Sequence, residues 1–324
     1  MKKQDLRIAF MGTPEFAVPS LEALIDNDFN IVGVITAPDR QSGRGRKITV
    51  SAVKQFALDN KLKILQPINL KEESFIAELK SLNCNLQIVV AFRMLPEIVW
   101  SLPALGTFNL HASLLPQYRG AAPINYAIIN GEKITGLTTF FIDNKIDTGK
   151  IILQEKVDIG DRDNVGSLHD KMKLKGAELI LKTLEHILDN KVNAQSQSTL
   201  IKTNVALKTA PKLNKEDCRI GWNNSPISIN NFVRGLSPYP GAYSILTSKE
   251  GIRHIVKIFK VAVNNSLNHD KIIGSINSDG KNYLDVIVRN GAIRISELQL
   301  SGKKRMSVTA FLRGFPDIND YHFE

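Results

Sequence analysis

Three side chains in this 324-residue sequence have the types and spacing for acid–base chemistry: Asn109, His111 and Asp147. A strand over Thr107 to Leu110 puts Asn109 and His111, two residues apart, on one face where the strand runs out. That is where open α/β sheets place their chemistry. Asp147 follows a second apolar run, Leu137 to Ile142, in a loop bounded by Gly149. A carboxylate there can orient an imidazole and stabilise its cation, and a neutral amide can donate to a developing oxyanion. A lone histidine beside apolar residues is more often a packed core group. The carboxylate in a loop after a strand is what shifts the weight towards chemistry. The G-x-S-x-G nucleophile pattern is absent, and neither Cys84 nor Cys218 lies near a histidine. The set therefore reads as acid–base and oxyanion chemistry without a covalent intermediate.

Past the strand the sequence runs NLHASLLPQYRGAAP. Leu114, Leu115 and Pro116 form an apolar turn suited to a flat aromatic ligand, and Gly120 lets the chain bend before Pro123 opens a helical run, Ile124 to Ile129. At these residues the chain resembles the folate-dependent formyltransferases, and the resemblance runs from MGTPEFAVP to the GKKRMS segment near the end. It implies that Asn109, His111 and Asp147 are catalytic. It also implies that Ser113, Leu114, Leu115 and Pro116 contact folate, with Arg93, Met94 and Leu95 at the pterin pocket, although Phe92-Arg93 replaces the family's more usual Tyr-Gly. The implied donor is 10-formyltetrahydrofolate, no metal is required, and the implied acceptor is initiator methionyl-tRNA. Glycinamide ribonucleotide and sugar-nucleotide formyltransferases carry the same Asn, His and Asp. The former lack a comparable carboxyl-terminal barrel, and neither accounts for PDRQSGRGRK.

In that stretch Arg40, Arg44, Arg46 and Lys47 surround two glycines with only Asp39 opposing them. Taken alone it reads as a surface loop. The resemblance implies an insertion that reaches the acceptor end of the tRNA, with Arg44 as its functional arginine. Guanidinium groups suit phosphates and stacked bases. The net charge is +10, and residues 208–324 hold 17 Lys and Arg against 10 Asp and Glu, so the last third carries most of the surplus. A polyanion partner fits that distribution, with Lys212, Lys215, Lys303, Lys304 and Arg305 as phosphate contacts. A non-enzymatic nucleic-acid-binding module would explain the charge but not the three catalytic residue types.

The supporting elements are those of a Rossmann-like α/β domain followed by a small, OB-like β-barrel domain. Leu6 to Met11, a helix from Phe16 to Ile25 with Thr13 as cap and Pro14 at its first position, and Ile31 to Ile35 make a strand, helix, strand unit. The G-x-G-x-x-G fingerprint is missing, which removes most support for a dehydrogenase. Leu86 to Ala91 reads as a buried parallel strand, Ile151 to Val157 as an antiparallel edge, and Val165 to Leu188 as the helix that closes the first domain. The expected organisation is a catalytic domain over 1–190, a connector over 191–208, and a barrel over 209–324 built from short alternating runs. No apolar run approaches the ~18 to 20 residues of a membrane span, and Asp5 and Arg7 interrupt any leader-like core, so a cytoplasmic enzyme is expected.

Overall fold

A computed structural model describes residues 1–42, 47–201, 205–264 and 272–324. Its first strands are β1 (Arg7–Gly12), β2 (Asn30–Ile35), β3 (Arg40–Ser42), β4 (Lys47–Thr49), β5 (Ile64–Leu65), β6 (Leu86–Val90), β7 (Thr107–His111), β8 (Ile134–Phe141) and β9 (Ile151–Asp158), and all but β3 and β4 follow apolar runs. Between them run α1 (Val18–Asp26), α2 (Ala52–Asp59), α3 (Glu73–Ser81), α4 (Glu97–Trp100) and α5 (Pro123–Ile129), with α6 (Val165–Leu188) after β9. Seven strands form one sheet in the order β5-β2-β1-β6-β7-β8-β9. The pairs from β5 to β7 are parallel, while β7–β8 and β8–β9 are antiparallel. Every residue of β6 is buried, as a strand covered on both faces requires. The chain order reverses between β1 and β6, so the crevice at their carboxyl ends is the topological switch point.

Arg7, the one charge inside the first apolar run, caps a neighbouring helix. Its Nε and Nη2 donate to Asn83 O at 2.9 Å and Leu82 O at 2.7 Å, carbonyls at the end of α3 that have no helical partner. The turn after β1 differs from the sequence-based expectation. A 3₁₀ turn over Glu15–Ala17 precedes α1, and Pro19 rather than Pro14 sits in the helix's first turn. A missing N–H is harmless there because that donor would have no helical acceptor. Ser51 caps α2, accepting from Lys54 N at 3.0 Å.

Two compact units interleave along the chain: residues 1–120, 134–158 and 169–209 form one, and residues 121–133, 159–168 and 210–324 form the other. The second contains α7 (Pro226–Leu236), β10 (Ala242–Ser248), β11 (Arg253–Asn264), β12 (Ile276–Ser278), β13 (Leu284–Val288), β14 (Gly291–Leu300), β15 (Met306–Ser307), α8 (Val308–Leu312) and β16 (Tyr321–Phe323). The strands lie in the order β12-β13-β14-β11-β10-β16, with β15 on β14, and a bridge between Ser275 and His322 brings the two edges together. The result is a nearly closed antiparallel barrel around Leu246, Val256, Ile258, Val286, Ile293 and Leu298. Early segments join this unit through side chains. Arg234 on α7 donates to the carbonyls of Gly160, Asp161 and Asp163, and its burial lowers the guanidinium pKa. Gly235 lets α7 meet α5, since a Cβ there would lie 2.5 Å from Ile129 Cγ1.

A chain ending at residue 190 keeps α5 but loses α7, leaving Ile124, Ala127 and Ile128 without the helix that α5 packs against. Such a chain should lack the sharp thermal transition of the full chain when followed by circular dichroism. A transition as cooperative and as high as that of the full chain would contradict this packing.

Candidate active site

His111 ends β7 with its ring buried, and the chain supplies an acceptor near each nitrogen. Nε2 donates to Tyr118 O at 2.9 Å, and Nδ1 faces Asp147 Oδ2 at 3.7 Å. The second distance is that of an ion pair and exceeds a hydrogen bond. Asp147 is held independently, because its Oδ2 accepts from Gly120 N at 2.9 Å. Gly120, read from the sequence only as a bend, therefore also supplies an N–H to the carboxylate. Asp147 has φ of 55°, a left-handed conformation that a non-glycine residue keeps only when its surroundings impose it. Asn109 shares β7 with His111, and its Oδ1 is buried with no hydrogen-bond partner. Orphaning a buried amide oxygen costs about 1 to 3 kcal/mol, so an unpaired Oδ1 on the strand that carries a buried histidine marks an acceptor kept for a ligand.

The turn after His111 is fixed by polar side chains from the neighbouring strands. Thr138 on β8, fully buried, donates to Ser113 O at 2.7 Å and accepts from Leu115 N at 3.2 Å. Gln154 on β9 donates to Leu115 O and to Thr138 Oγ1, both at 2.9 Å. Ser113 is buried and donates to Gln117 O at 2.6 Å. Leu115 packs with Phe140 and Ile151, Leu114 lies against Gly136, and Pro116 is buried. Ser113 and Leu115 thus shape this wall through the backbone they hold, since their side chains turn into the protein.

At the switch point, Ala91 adopts φ of 49° directly after β6. Phe92 is half-buried, Met94 is 65% exposed, and Leu95 is buried with Val89 and Val99. Arg93 donates to Pro67 O and Ile68 O, and burial followed by the charge of Arg40 lowers its pKa. Arg40 is exposed on β3, and Lys47 begins β4, the other arm of this hairpin. Arg44 and Arg46 lie outside the described residues. In the second unit Lys212, Lys215, Lys303 and Lys304 are exposed or nearly so, ready to meet solvent. Arg305 is engaged with Glu297 at 2.7 Å and lies over the Phe259 ring at 4.5 Å.

A doubly wound sheet with a buried His–Asp pair and an unpaired amide at one strand end defines an α/β enzyme of the acid–base, group-transfer class, here followed by an antiparallel barrel. Residues 6–184 match the family model described as formyl transferase, and residues 212–316 match that of the formyl transferase carboxyl-terminal domain. The chain belongs to the formyl transferase family and is a formyl-transferring enzyme. It is 53% identical to methionyl-tRNA formyltransferase of Parabacteroides distasonis over 99% of both chains. It is also 53% identical to the protein of that name from Flavobacterium johnsoniae over 96% of both. Among solved structures, HypX from Aquifex aeolicus in complex with tetrahydrofolic acid shares the fold at a TM-score of 0.63 and 16% identity, over 96% of this chain and 48% of that one. An N-formyltransferase from Helicobacter canadensis does so at 0.62 and 21%, over 93% and 100%. No helix among the described residues is long and apolar enough to cross a membrane.

Sequence reasoning misses Thr138, Gln154, Arg119 and Gln197. The first pair sits in strands legible only through their apolar residues, and Gln197 sits in a polar stretch without periodicity. Thr138→Val keeps the shape of the side chain but orphans Ser113 O and Leu115 N. It should cost about 1 to 3 kcal/mol per group, a fall of about 2 to 4 °C in Tm for each kcal/mol. Differential scanning calorimetry checks this, and an unchanged Tm would show that the hydroxyl does not fix the turn.

Proposed function

We propose that this enzyme transfers the formyl group of 10-formyltetrahydrofolate to the α-amino group of methionine on initiator methionyl-tRNA, the step that readies this tRNA for translation initiation. Full-length identity above 50% to methionyl-tRNA formyltransferases supports the choice of acceptor. The observation that carries the chemistry is the buried Asn109 Oδ1, without a hydrogen-bond partner, two residues before His111. Half-buried Phe92 and exposed Met94 at the switch point offer apolar surface of the kind a flat pterin covers.

When bound, the donor supplies an electrophilic formyl carbon. The α-amino nitrogen bonds to that carbon, the bond from the carbon to the folate nitrogen breaks, and a proton passes from the amine to that nitrogen. Asn109 donates from Nδ2 to the oxygen as negative charge develops there, and its unpartnered Oδ1 is open to accept from the incoming amine. His111 and Asp147 are the chain's own groups able to take and return the proton. The burial of this pair keeps bulk water from competing for it.

Phosphate binding falls to exposed cations. Lys212, Lys303 and Lys304 are free to meet a polyanion, whereas Arg305 is already paired with Glu297, so its phosphate role requires giving up that pair. Arg40 serves the same function on the hairpin of β3 and β4, continued by Arg44, Arg46 and Lys47.

Formylation of methionyl-tRNA, assayed beside an amino-sugar nucleotide and glycinamide ribonucleotide, tests the acceptor. Turnover confined to either small acceptor would sink the reading. Asn109→Ala, His111→Ala and Asp147→Ala should each lower turnover by about 10²- to 10³-fold. Asn109→Ala removes an unpaired buried oxygen, so its thermal stability should not fall below that of the parent. Replacing Lys303 and Lys304 by alanine should reduce the slope of log affinity against log salt by about 0.7 to 0.9 for each phosphate no longer neutralised. The same slope after substitution would remove these lysines from the interface.

A further inference from the structure

The polar stretch after α6 lacks the periodicity of a helix or a strand, yet Gln197 within it is only 2% exposed. Its Nε2 donates to Asp147 O and to Gly149 O, both at 2.9 Å. Its Oε1 accepts from Arg119 Nε at 3.1 Å and from Arg119 Nη2 at 2.6 Å. Gln195 and Ile151 exchange both backbone hydrogen bonds at 2.8 Å, which fixes the segment beside the start of β9. Further along, Lys208 O accepts from Tyr118 N at 2.6 Å, and Lys208 N donates to Gln117 Oε1 at 2.8 Å.

These hydrogen bonds converge on the histidine. Arg119 lies between Tyr118, whose carbonyl holds His111 Nε2, and Gly120, whose N–H holds Asp147 Oδ2. One buried carboxamide therefore ties the loop that carries the carboxylate to the segment that supplies both of these bonds. Asp147 needs such support, because its left-handed backbone is a conformation costing of order 1 to 3 kcal/mol that its surroundings must impose.

We propose that Gln197 and Arg119 are positioning residues for formyl transfer, a latch that fixes Asp147 against His111 before the substrates arrive. The proposal rests on the formyl-transfer reading above. Its effect is on geometry, and misplacing a catalytic group by about 1 Å costs on the order of 10²-fold in rate. Gln197 bonds only to groups of the protein, so its expected effect is on kcat with KM kept.

The test uses the full chain, 10-formyltetrahydrofolate and methionyl-tRNA. Gln197→Leu removes all four hydrogen bonds, while Gln197→Glu keeps the acceptor for Arg119 but loses the donor to Asp147 O and Gly149 O. Both should lower kcat by about 10- to 100-fold with KM for either substrate within about twofold. In an Asp147→Asn background, measured by single-turnover formylation, Gln197→Leu should cost several-fold less than in the parent, because the part of the latch that acts through that carboxylate is already lost while the Tyr118 side remains. An unchanged kcat, a loss confined to KM, or the same fold loss in both backgrounds would overturn the latch. Should Gln197→Leu fail to fold, Gln197→Glu carries the same comparison. A parent protein that does not formylate methionyl-tRNA defeats the functional reading, whereas an active parent with unaffected Gln197 variants defeats only the latch.

Discussion

The antiparallel pairing of β7 with β8 sets the geometric problem that the rest of the site answers. Phe108 is opposite Phe141 and His111 opposite Thr138, so β8 ends level with the start of β7, three residues below the histidine. At about 3.3 Å per residue, the loop carrying Asp147 must run back roughly 10 Å to bring its carboxylate to the ring. Phe141 N bonds to Lys150 O at 2.9 Å and closes the base of that loop. Asp143 accepts from Lys145 N and Thr148 Oγ1 and forms its first bend. Gly149 allows the tightest approach, since a Cβ there would lie 1.6 Å from Phe141 O. The left-handed backbone of Asp147 belongs to this return path, and so do the bonds from Gly120 and Gln197 that hold its end.

Polar side chains buried around this path are nearly all paired. Thr138 bonds to Ser113, Leu115 and Gln154, Thr139 bonds to Thr183 at 2.9 Å, and Gln197 uses both ends of its amide. Paired in this way, each side chain fixes a piece of backbone that apolar packing alone would leave free to shift. Asn109 breaks that pattern with an unpaired Oδ1. Because these neighbouring polar groups are satisfied elsewhere, none turns to quench the amide, and it stays available to a ligand.

Physical periodicity explains what is legible without the structure. The apolar run of β1 after Arg7, the fully buried β6, the capped helix α2, the long helix α6 and the apolar strands β13 and β14 all have patterns that local rules detect. Asn109 and His111 are legible for the same reason, because a strand's period of two fixes their common face. Gln197 is not, since its burial is compensated by hydrogen bonds to residues about 50 and 78 positions away, which leave no trace in local hydropathy. Arg93 is legible only as a position, because its guanidinium turns to the carbonyls of a loop 25 residues earlier, a partner that local sequence does not reveal. The allegiance of α5 to the second unit is equally hidden, as its apolar face is the same whichever helix covers it.

The charged groups divide by what already holds them, and that division bears on function more than their number does. Glu155 is paired with Lys175 and Lys182, Asp285 with Arg294, and Glu297 with Arg305, so these cations contribute little field beyond their partners. Exposed cations whose neighbours carry the same sign act at longer range. Burial, then the like charge of Arg40, lower the pKa of Arg93, so the two cations are near neighbours. Asp39, the acid closest in sequence to Arg40, is instead held by Lys54 at 2.5 Å and Gln66 at 2.9 Å, bonds that lower its own pKa. A positive field at the mouth of an α/β crevice draws in an anionic substrate before any contact is made, and it weakens with salt over about a Debye length of 10 Å. Arg93 ties the 67–68 loop to the end of β6 and stands near Arg40, so one side chain both holds that loop and adds charge beside it.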